Sequence, residues 1–493
     1  GVSVDGGGGG GFGGGGGGGG VNNTSSAIVI SRGSGGFYAG SGGNVNSSEP
    51  GSGGGSGGGG AGIGGGVFVG DGATLVVANS VNIANNTFVG GAKGAAVGGR
   101  LGTDGTGLAN DVFLFRSAKI VFTGTQSQNI AFAIEGDPLA TTGNLDAGIT
   151  VNTSSDAVIT LTSTGNTYRG GTIINTGTLS AAVANLPPAN TITVGSSGTF
   201  ILTGGTNANV ISNSGIFNIP NALTNAATIT NSSIMNINAA LTTNIGSSIN
   251  NTVSGTLTLG AAGSIDTTGT LTNAGNYNIG NSFNTANFTN SGALYLVGNG
   301  SISGNLTGGT TLNIGRDSNS VINANLSSTG GTIASIPIIQ IFSGSSYTVA
   351  NAISGVTTSF TVDSGATATF NAALTGVSGA FTNNGTTNIG ATGSINTTGA
   401  FLNNSNITVA SGGSIFIGAT ATNAGSLVLN GSLSGTGTMT NANTLTFNSG
   451  ASSTALINNN NIFNINGSTN LNGAVTNNAT MHIDAVVTGT AVI

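Results

Sequence analysis

Beyond Arg169 only five side chains carry charge: Asp266, Arg316, Asp317, Asp363 and Asp484. Carboxylates that cleave a glycosidic bond work in pairs, roughly 5–10 Å apart across it. Asp266 and Asp363 are 97 residues apart, and Asp363 and Asp484 are 121 apart, so no two meet within a short repeat. Arg316 and Asp317 are adjacent and read as a local surface ion pair in a turn. His482 is the single histidine and the chain has no cysteine, so the companions that a zinc site needs are missing. Lying between Met481 and Ile483, it is expected to point outward, in line with Asn464, Thr446, Val428 and Thr408.

Nearer the N-terminus stand Asp104, Glu135, Asp137, Asp146 and Asp156. Glu135-Gly136-Asp137-Pro138 is turn chemistry. Carboxylates and carbonyls would suit calcium, yet neither an EF-hand loop nor a Gly-Gly-x-Gly-x-Asp nonapeptide is present. Gly53 to Gly66 matches GxGxxG only because nearly every residue there is Gly, and no strand–loop–helix pattern follows. The expectation is no catalytic residue, no metal and no cofactor.

The elements available to position side chains follow from composition. The 493 residues include 92 Gly, 6 Pro and no Trp, with 4% charged and 37% hydrophobic residues. An ordinary soluble domain carries roughly 25% charged residues. Helical bundles and coiled coils need Glu, Lys, Arg and Leu in bulk, and collagen needs a Gly-X-Y period, so both are excluded. A disordered chain would be less hydrophobic and more charged. Net charge of −6 without clustered Lys and Arg argues against nucleic acid. The richest apolar stretch, Ile333 to Phe342, is half the about 20 residues of a membrane-spanning helix and holds Pro337, so no membrane insertion is expected. The opening GVSVDGGGGG has no Met, basic or apolar leader, as in a processed start or a piece of a longer chain.

Three regions differ. Residues 1–66 are Gly-rich, and 34 of the 92 Gly fall within residues 1–70. They read either as a flexible linker or as extended polyglycine packed on itself or on a neighbouring subunit, since Gly lets backbones approach closely. Residues 67–169 form a β region that carries most of the charges, with strands such as Val67-Phe68-Val69, Thr74 to Val77, Val112 to Phe115 and Lys119 to Phe122. Residues 170–493 are a degenerate repeat.

The repeat unit is apolar-x-Asn, a short turn, then apolar-x-apolar. Ile211-x-Asn213 precedes Phe217/Ile219, Ile229-x-Asn231 precedes Met235/Ile237, and Leu271-x-Asn273 precedes Tyr277/Ile279. Phe288-x-Asn290 precedes Leu294/Leu296, and Ala421-x-Asn423 precedes Leu427/Leu429. Met439-x-Asn441 precedes Leu445/Phe447, and Val475-x-Asn477 precedes Met481/Ile483. Looser copies supply Leu257/Leu259, Leu312/Ile314, Thr387/Ile389, Ile407/Val409 and Phe463/Ile465. Spacings run 18, 22, 20, 17 and 18 from Phe217 to Leu312, then 20, 20, 18, 18 and 18 from Thr387 to Met481. The 75 residues between Leu312 and Thr387 leave room for four repeats of unreadable register.

A spacing near 19 with inward apolar pairs predicts an all-β, parallel β-solenoid, with about 17 coils stacked about 4.8 Å apart. Stacked like charges would repel at every coil, which accounts for their scarcity. Asn tolerates corner geometry, and stacked amides can bond along the axis. Asn213, Asn231, Asn273, Asn290, Asn383, Asn403, Asn423, Asn441, Asn458 and Asn477 are therefore expected to form a structural corner ladder. Thr-x-Thr pairs suggest an ice-binding face. Beside Thr256/Thr258, however, the neighbouring coils carry Ile234/Asn236, Asn276/Asn278, Ala293/Tyr295 and Thr311/Asn313, a mixed face.

Residues 164–180, TGNTYRGGTIINTGTLS, resemble the passenger-associated repeat of bacterial autotransporters. Tyr168, Gly170, Gly171, Thr172, Ile174, Gly177 and Leu179 occupy its Tyr-x-Gly-Gly-Thr and Ile-x-x-Gly-x-Leu positions. Residues 64–69 and 86–91 are similar to the Gly-Gly-apolar signature of large surface passengers. The resemblance implies a right-handed β-helix exported to the bacterial cell surface, often an adhesin. The family's C-terminal membrane barrel has no counterpart in this sequence.

The expected function is that of a non-enzymatic extracellular structural solenoid of surface or matrix, a homopolymer built by end-to-end stacking. The alternative is an adhesin that binds a host surface or glycan as a monomer.

Overall fold

The computed structural model describes residues 4–5, 14–18, 20–21, 29–30, 32–46, 55–63, 65–79, 81–83, 86–95, 100–109, 111–138, 147–260, 262–267, 270–279, 283–285, 288–290, 292–296, 298–304, 306–308, 310–316, 324–328 and 333–490. They fall into two compact units, Gly1–Phe200 and Ile201–Ile493. Among the described residues every regular element is a strand, except one 3-10 turn at Val183–Asn185.

In the first unit, Val67–Val69, Val112–Leu114 and Ile134–Gly136 form one parallel face. Thr74–Val77, Lys119–Phe122, Gly148–Asn152 and the start of Thr172–Ala182 form another. Gln128–Ile130, Val158–Leu161 and the end of Thr172–Ala182 form a third. Like residues stack: Phe122 lies between Val77 and Val151, all buried. Thr172–Ala182 serves two faces because it turns at Gly177, whose φ is 78°. A β carbon there would stand 1.9 Å from Thr153 Oγ1, so only Gly fits.

The glycine-rich part of this unit is packed in a different way. Segment 100–106 donates backbone hydrogen bonds to segment 38–44 at every third residue: Thr106 N to Tyr38 O at 2.8 Å, Thr103 N to Ser41 O at 2.9 Å and Arg100 N to Asn44 O at 3.2 Å. The same step of three joins Ser56 and Gly59 N to Arg100 and Thr103 O, and Gly40 and Gly43 N to Gly59 and Ser56 O. A strand repeats every two residues. A step of three is the repeat of an extended polyproline-II-type helix, which has no internal hydrogen bonds and must find partners outside itself. Residues 55–60 bond to segments around Gly16, Gly40, Gly91 and Arg100, which places them at the centre of a bundle. A β carbon on Gly58 would stand 1.8 Å from Gly40 O, so backbone occupies the space of side chains.

Aromatic packing joins this bundle to the strands. Phe37 meets Phe115 edge-on at 5.1 Å, and Phe68 stacks on Phe113 at 5.9 Å. The Arg116 guanidinium lies 5.0 Å from the Phe37 ring centre and 4.9 Å from that of Phe115, a cation–π contact on both sides. It also lies 3.7 Å from Asp71 Oδ2.

The second unit is a parallel β-solenoid whose coils have three strands and three corners. In chain order each coil crosses a first face (beginning at Val210–Asn213), a second (beginning at Ile216–Ile219) and a third (beginning at Thr206–Asn207, then Leu223–Asn225). The third face is a sheet of fifteen strands that ends at Thr480–Ile483. Inward residues stack in long columns. On the second face Phe217, Met235, Leu257, Tyr277 and Leu294 lie in register. Higher up, Phe360, Phe381 and Phe401 follow one another, with ring centres 5.6 and 5.2 Å apart and nearly parallel planes. These side chains are at most 1% exposed. Burial of such a column, at roughly 25 cal/mol per Å² of apolar surface, is what holds the coils together.

The stretch between Leu312 and Thr387 corrects the expectation of four repeats. Leu312 pairs with Ile339, Ile339 with Phe360 and Phe360 with Phe381, all on the second face. Thr387 lies on the third face, paired with Ala368 and Ile407. The interval is three coils plus a step of one face. The sequence motif therefore spans the first and second faces up to Leu312, and the second and third faces from Asn383 onward.

Candidate functional site

Amide ladders run through the polar interior of the second unit. Asn213, Asn231, Asn251 and Asn273 occupy the corner between the first and second faces. Each donates from Nδ2 to the Oδ1 of the next, at 2.7 Å in all three steps. Asn290 follows Asn273 in backbone register. The other ladder occupies the corner between the second and third faces: Asn383 to Asn403 at 2.8 Å, Asn403 to Asn423 at 2.7 Å, Asn423 to Asn441 at 2.8 Å, and Asn441 to Asn459 and Asn459 to Asn477 at 2.7 Å. At that corner the earlier coils carry Ile219, Ile237, Leu259, Ile314, Ile341 and Val362. The ladder thus changes corners where the sequence motif changes faces.

Two residues differ from the sequence-based set. Asn459, not Asn458, stands in the ladder, because Asn441 pairs with Asn459 while Asn458 pairs with outward Thr440. Asn251 belongs to the first ladder, and the signal for it is Ile249-x-Asn251 six residues before Leu257.

Each ladder amide also serves the backbone. Asn231 Nδ2 is within 3.1 Å of both Ser233 O and Thr256 O. The first amide of the second ladder has no Asn below it, since Asn383 stacks on Val362. Its Oδ1 accepts instead from the Thr387 hydroxyl at 2.9 Å. This is why a fully buried Thr stands where the next coils have Ile407, Leu427 and Leu445.

The titratable residues are dispersed. His482 is exposed and pairs with Asn464, which pairs in turn with Thr446. Asp363 accepts from Gln340 Nε2 at 3.0 and 3.2 Å, and Arg316 lies 5.5 Å from the Phe342 ring centre. Asp317 and Asp146 lie outside the described residues. In the first unit Asp71 accepts from Ser117 N and Oγ, which holds its carboxyl below the usual range. The Lys93 backbone N–H, helped by its ammonium, does the same for Asp104. Asp111 accepts from Ala133 N at 2.9 Å, and buried Asp137 from the Tyr38 hydroxyl. Among the described residues no three His, Cys, Asp or Glu gather as a metal site would require.

A concavity built of unlike residues lies in the first unit, partly within the sequence that resembles the passenger repeat. Tyr168 is fully buried, its hydroxyl 2.9 Å from Thr172 Oγ1, and burial pushes its pKa up. Asn190 Nδ2 donates to Tyr168 O at 3.2 Å and so ties the loop 187–190 to this strand. Ala189 in that loop has a φ of 56°, strained for a non-glycine residue. Between them opens a cavity of about 390 Å³ lined by Thr167, Tyr168, Arg169, Pro187, Pro188, Ala189 and Asn190. Across Thr167 and Arg169 lies a second of about 310 Å³, whose walls include Leu108, Phe113, Glu135 and Pro138. The sequence offered no signal for this place, since three separate segments build it.

No protein-family profile, no curated protein and no solved structure matches this chain.

Proposed function

We propose that the chain is a non-enzymatic structural solenoid of the bacterial cell surface or extracellular matrix, of the autotransporter-passenger kind, which stacks end to end with copies of itself. The observation that carries this reading is the uniform stacking of uncharged residues through the second unit. Its columns are filled by apolar side chains and amides, and its few charged residues are scattered. Such a fold gives mechanical continuity through backbone bonds along the axis. Stacking is supported by the repetition itself, since each coil presents to the next the same strands in register, as Phe463 does to Met481 and Ile465 to Ile483. A coil surface of this kind can pair with a like coil of a second copy in a heterologous, repeating contact. Electron microscopy and sedimentation of the purified chain test the reading. Filaments are expected, and uniform monomers at high concentration would sink end-to-end stacking. Cleavage of any polysaccharide would overturn the non-enzymatic part.

The second reading, an adhesin-type binding module, is favoured by the concavity at Arg169, the place where rare residue types gather. It predicts saturable adhesion to a cell surface or glycan by the monomer.

A further inference from the structure

The two cavities at Arg169 share a ridge, and their walls differ from the rest of the molecule. Three of the chain's six prolines, Pro138, Pro187 and Pro188, line them. Pro188 and Pro138 are exposed, and so are Thr167 and Arg169 on the ridge. Among the described lining residues one cation, Arg169, and one anion, Glu135, balance each other in charge. Both volumes fall within the range of small-molecule sites, roughly 300–1,000 Å³. Flat pyrrolidine faces and the Phe113 ring offer apolar walls. Arg169 offers a fork of donors, Glu135 offers acceptors, and Thr167 can both donate and accept.

A ligand that matches these walls is bulky, neutral, apolar on its ring faces and rich in hydroxyls at its ring edges. That is the chemistry of a sugar ring. Two clefts separated by one ridge suit at least two consecutive rings. An acidic chain would meet Glu135, and a cationic one would meet Arg169.

We propose that this double cleft binds a short stretch of neutral oligosaccharide, with one sugar ring on each side of the Arg169–Thr167 ridge. The proposal rests on the second reading above and is independent of end-to-end stacking. The ridge residues bond to ring hydroxyls, and the proline faces pack against ring C–H groups. Burial of apolar ring area supplies affinity, and the polar pair sets which hydroxyls fit.

The test is calorimetric titration of the full chain with cello-, chito-, xylo- and mannotetraose, with trigalacturonate as the acidic comparator. At least one neutral tetraose is expected to bind saturably. Arg169→Ala should weaken it about tenfold or more, the scale of losing a hydrogen bond to a charged group. Pro188→Ser should weaken it less, and Asp363→Asn in the second unit should leave it unchanged. Arg169 and Pro188 are exposed, so the variants should keep the parent circular dichroism. Absence of binding by every neutral tetraose at millimolar concentration would overturn the proposal. So would binding unaffected by Arg169→Ala, or a preference for trigalacturonate. Adhesion to cells that persists without tetraose binding would sink the cleft while leaving the binding-module reading standing.

Discussion

Asn423 Nδ2 donates to Asn441 Oδ1 at 2.8 Å inside the corner of the second unit, while Asn423 Oδ1 accepts from Asn403 at 2.7 Å. Each amide is both donor and acceptor, and all three are 0% exposed. Asn423→Leu leaves an orphan on each neighbour. A buried polar group without a partner costs about 1–3 kcal/mol, so a loss of about 2–4 kcal/mol is expected in chemical denaturation. The exposed Asn404, bonded to Asn384 at 2.8 Å, is the control, and Asn404→Ala should stay within about 0.5 kcal/mol.

Thr387→Val should destabilise although it places a more hydrophobic side chain of equal shape in the core. The hydroxyl it removes satisfies Asn383 Oδ1, and the expected cost is about 1–2 kcal/mol. A neutral or stabilising result in the same denaturation series would refute the assignment of Thr387 as the end-piece of the ladder.

Gly58→Ala forces a β carbon to 1.8 Å from Gly40 O. The expected result is loss of amide-exchange protection at Gly40, Gly43, Gly59 and Thr103, with protection kept at Ile120 and Val151. Ala at Gly70, where nothing lies within 4 Å of the added carbon, should leave the bundle intact.

Acid should loosen the first unit locally. Hydrogen bonds from Ser117 hold the Asp71 carboxyl below the ordinary aspartate range, and the Lys93 backbone N–H does so for Asp104. A depressed carboxylate contributes stability above its unfolded pKa and loses it as pH falls through the folded value. Amide exchange at Ser117 and Lys93, which donate to these carboxylates, should therefore be protected at pH 7 and accelerate, relative to Asn423, below the usual Asp range. Both groups are exposed, so the effect is confined to these turns.

The coils were readable because inward pairs such as Leu427/Leu429 alternate with polar neighbours, a period of two that only a strand satisfies. Their register was less readable, because all three faces use the same apolar-x-apolar pattern. A one-face shift between Leu312 and Thr387 therefore leaves no mark in the pattern. Four consecutive asparagines, Asn458 to Asn461, hide which one faces inward, and only stacking on Asn441 decides it. The glycine segments carry no side-chain alternation, so their three-residue bonding step had no sequence signal. The cleft at Arg169 brings together residues 108–138, 167–169 and 187–190, and spacing alone cannot express that meeting.

The inner amides share one further property. From Asn213 to Asn251 and from Asn383 to Asn459, every Nδ2 donates to the following coil. Surface amides run the other way: Asn236 donates back to Asn218, Asn404 to Asn384 and Asn448 to Asn430. The solenoid is thus a vector, with a donor row inside and an opposed donor row outside. Each coil of the ladder therefore presents a side-chain carbonyl to the coil before it on the inside and an amide N–H₂ to that coil on the outside. A coil laid upside down would set donor against donor, so the ladder reads direction as well as shape.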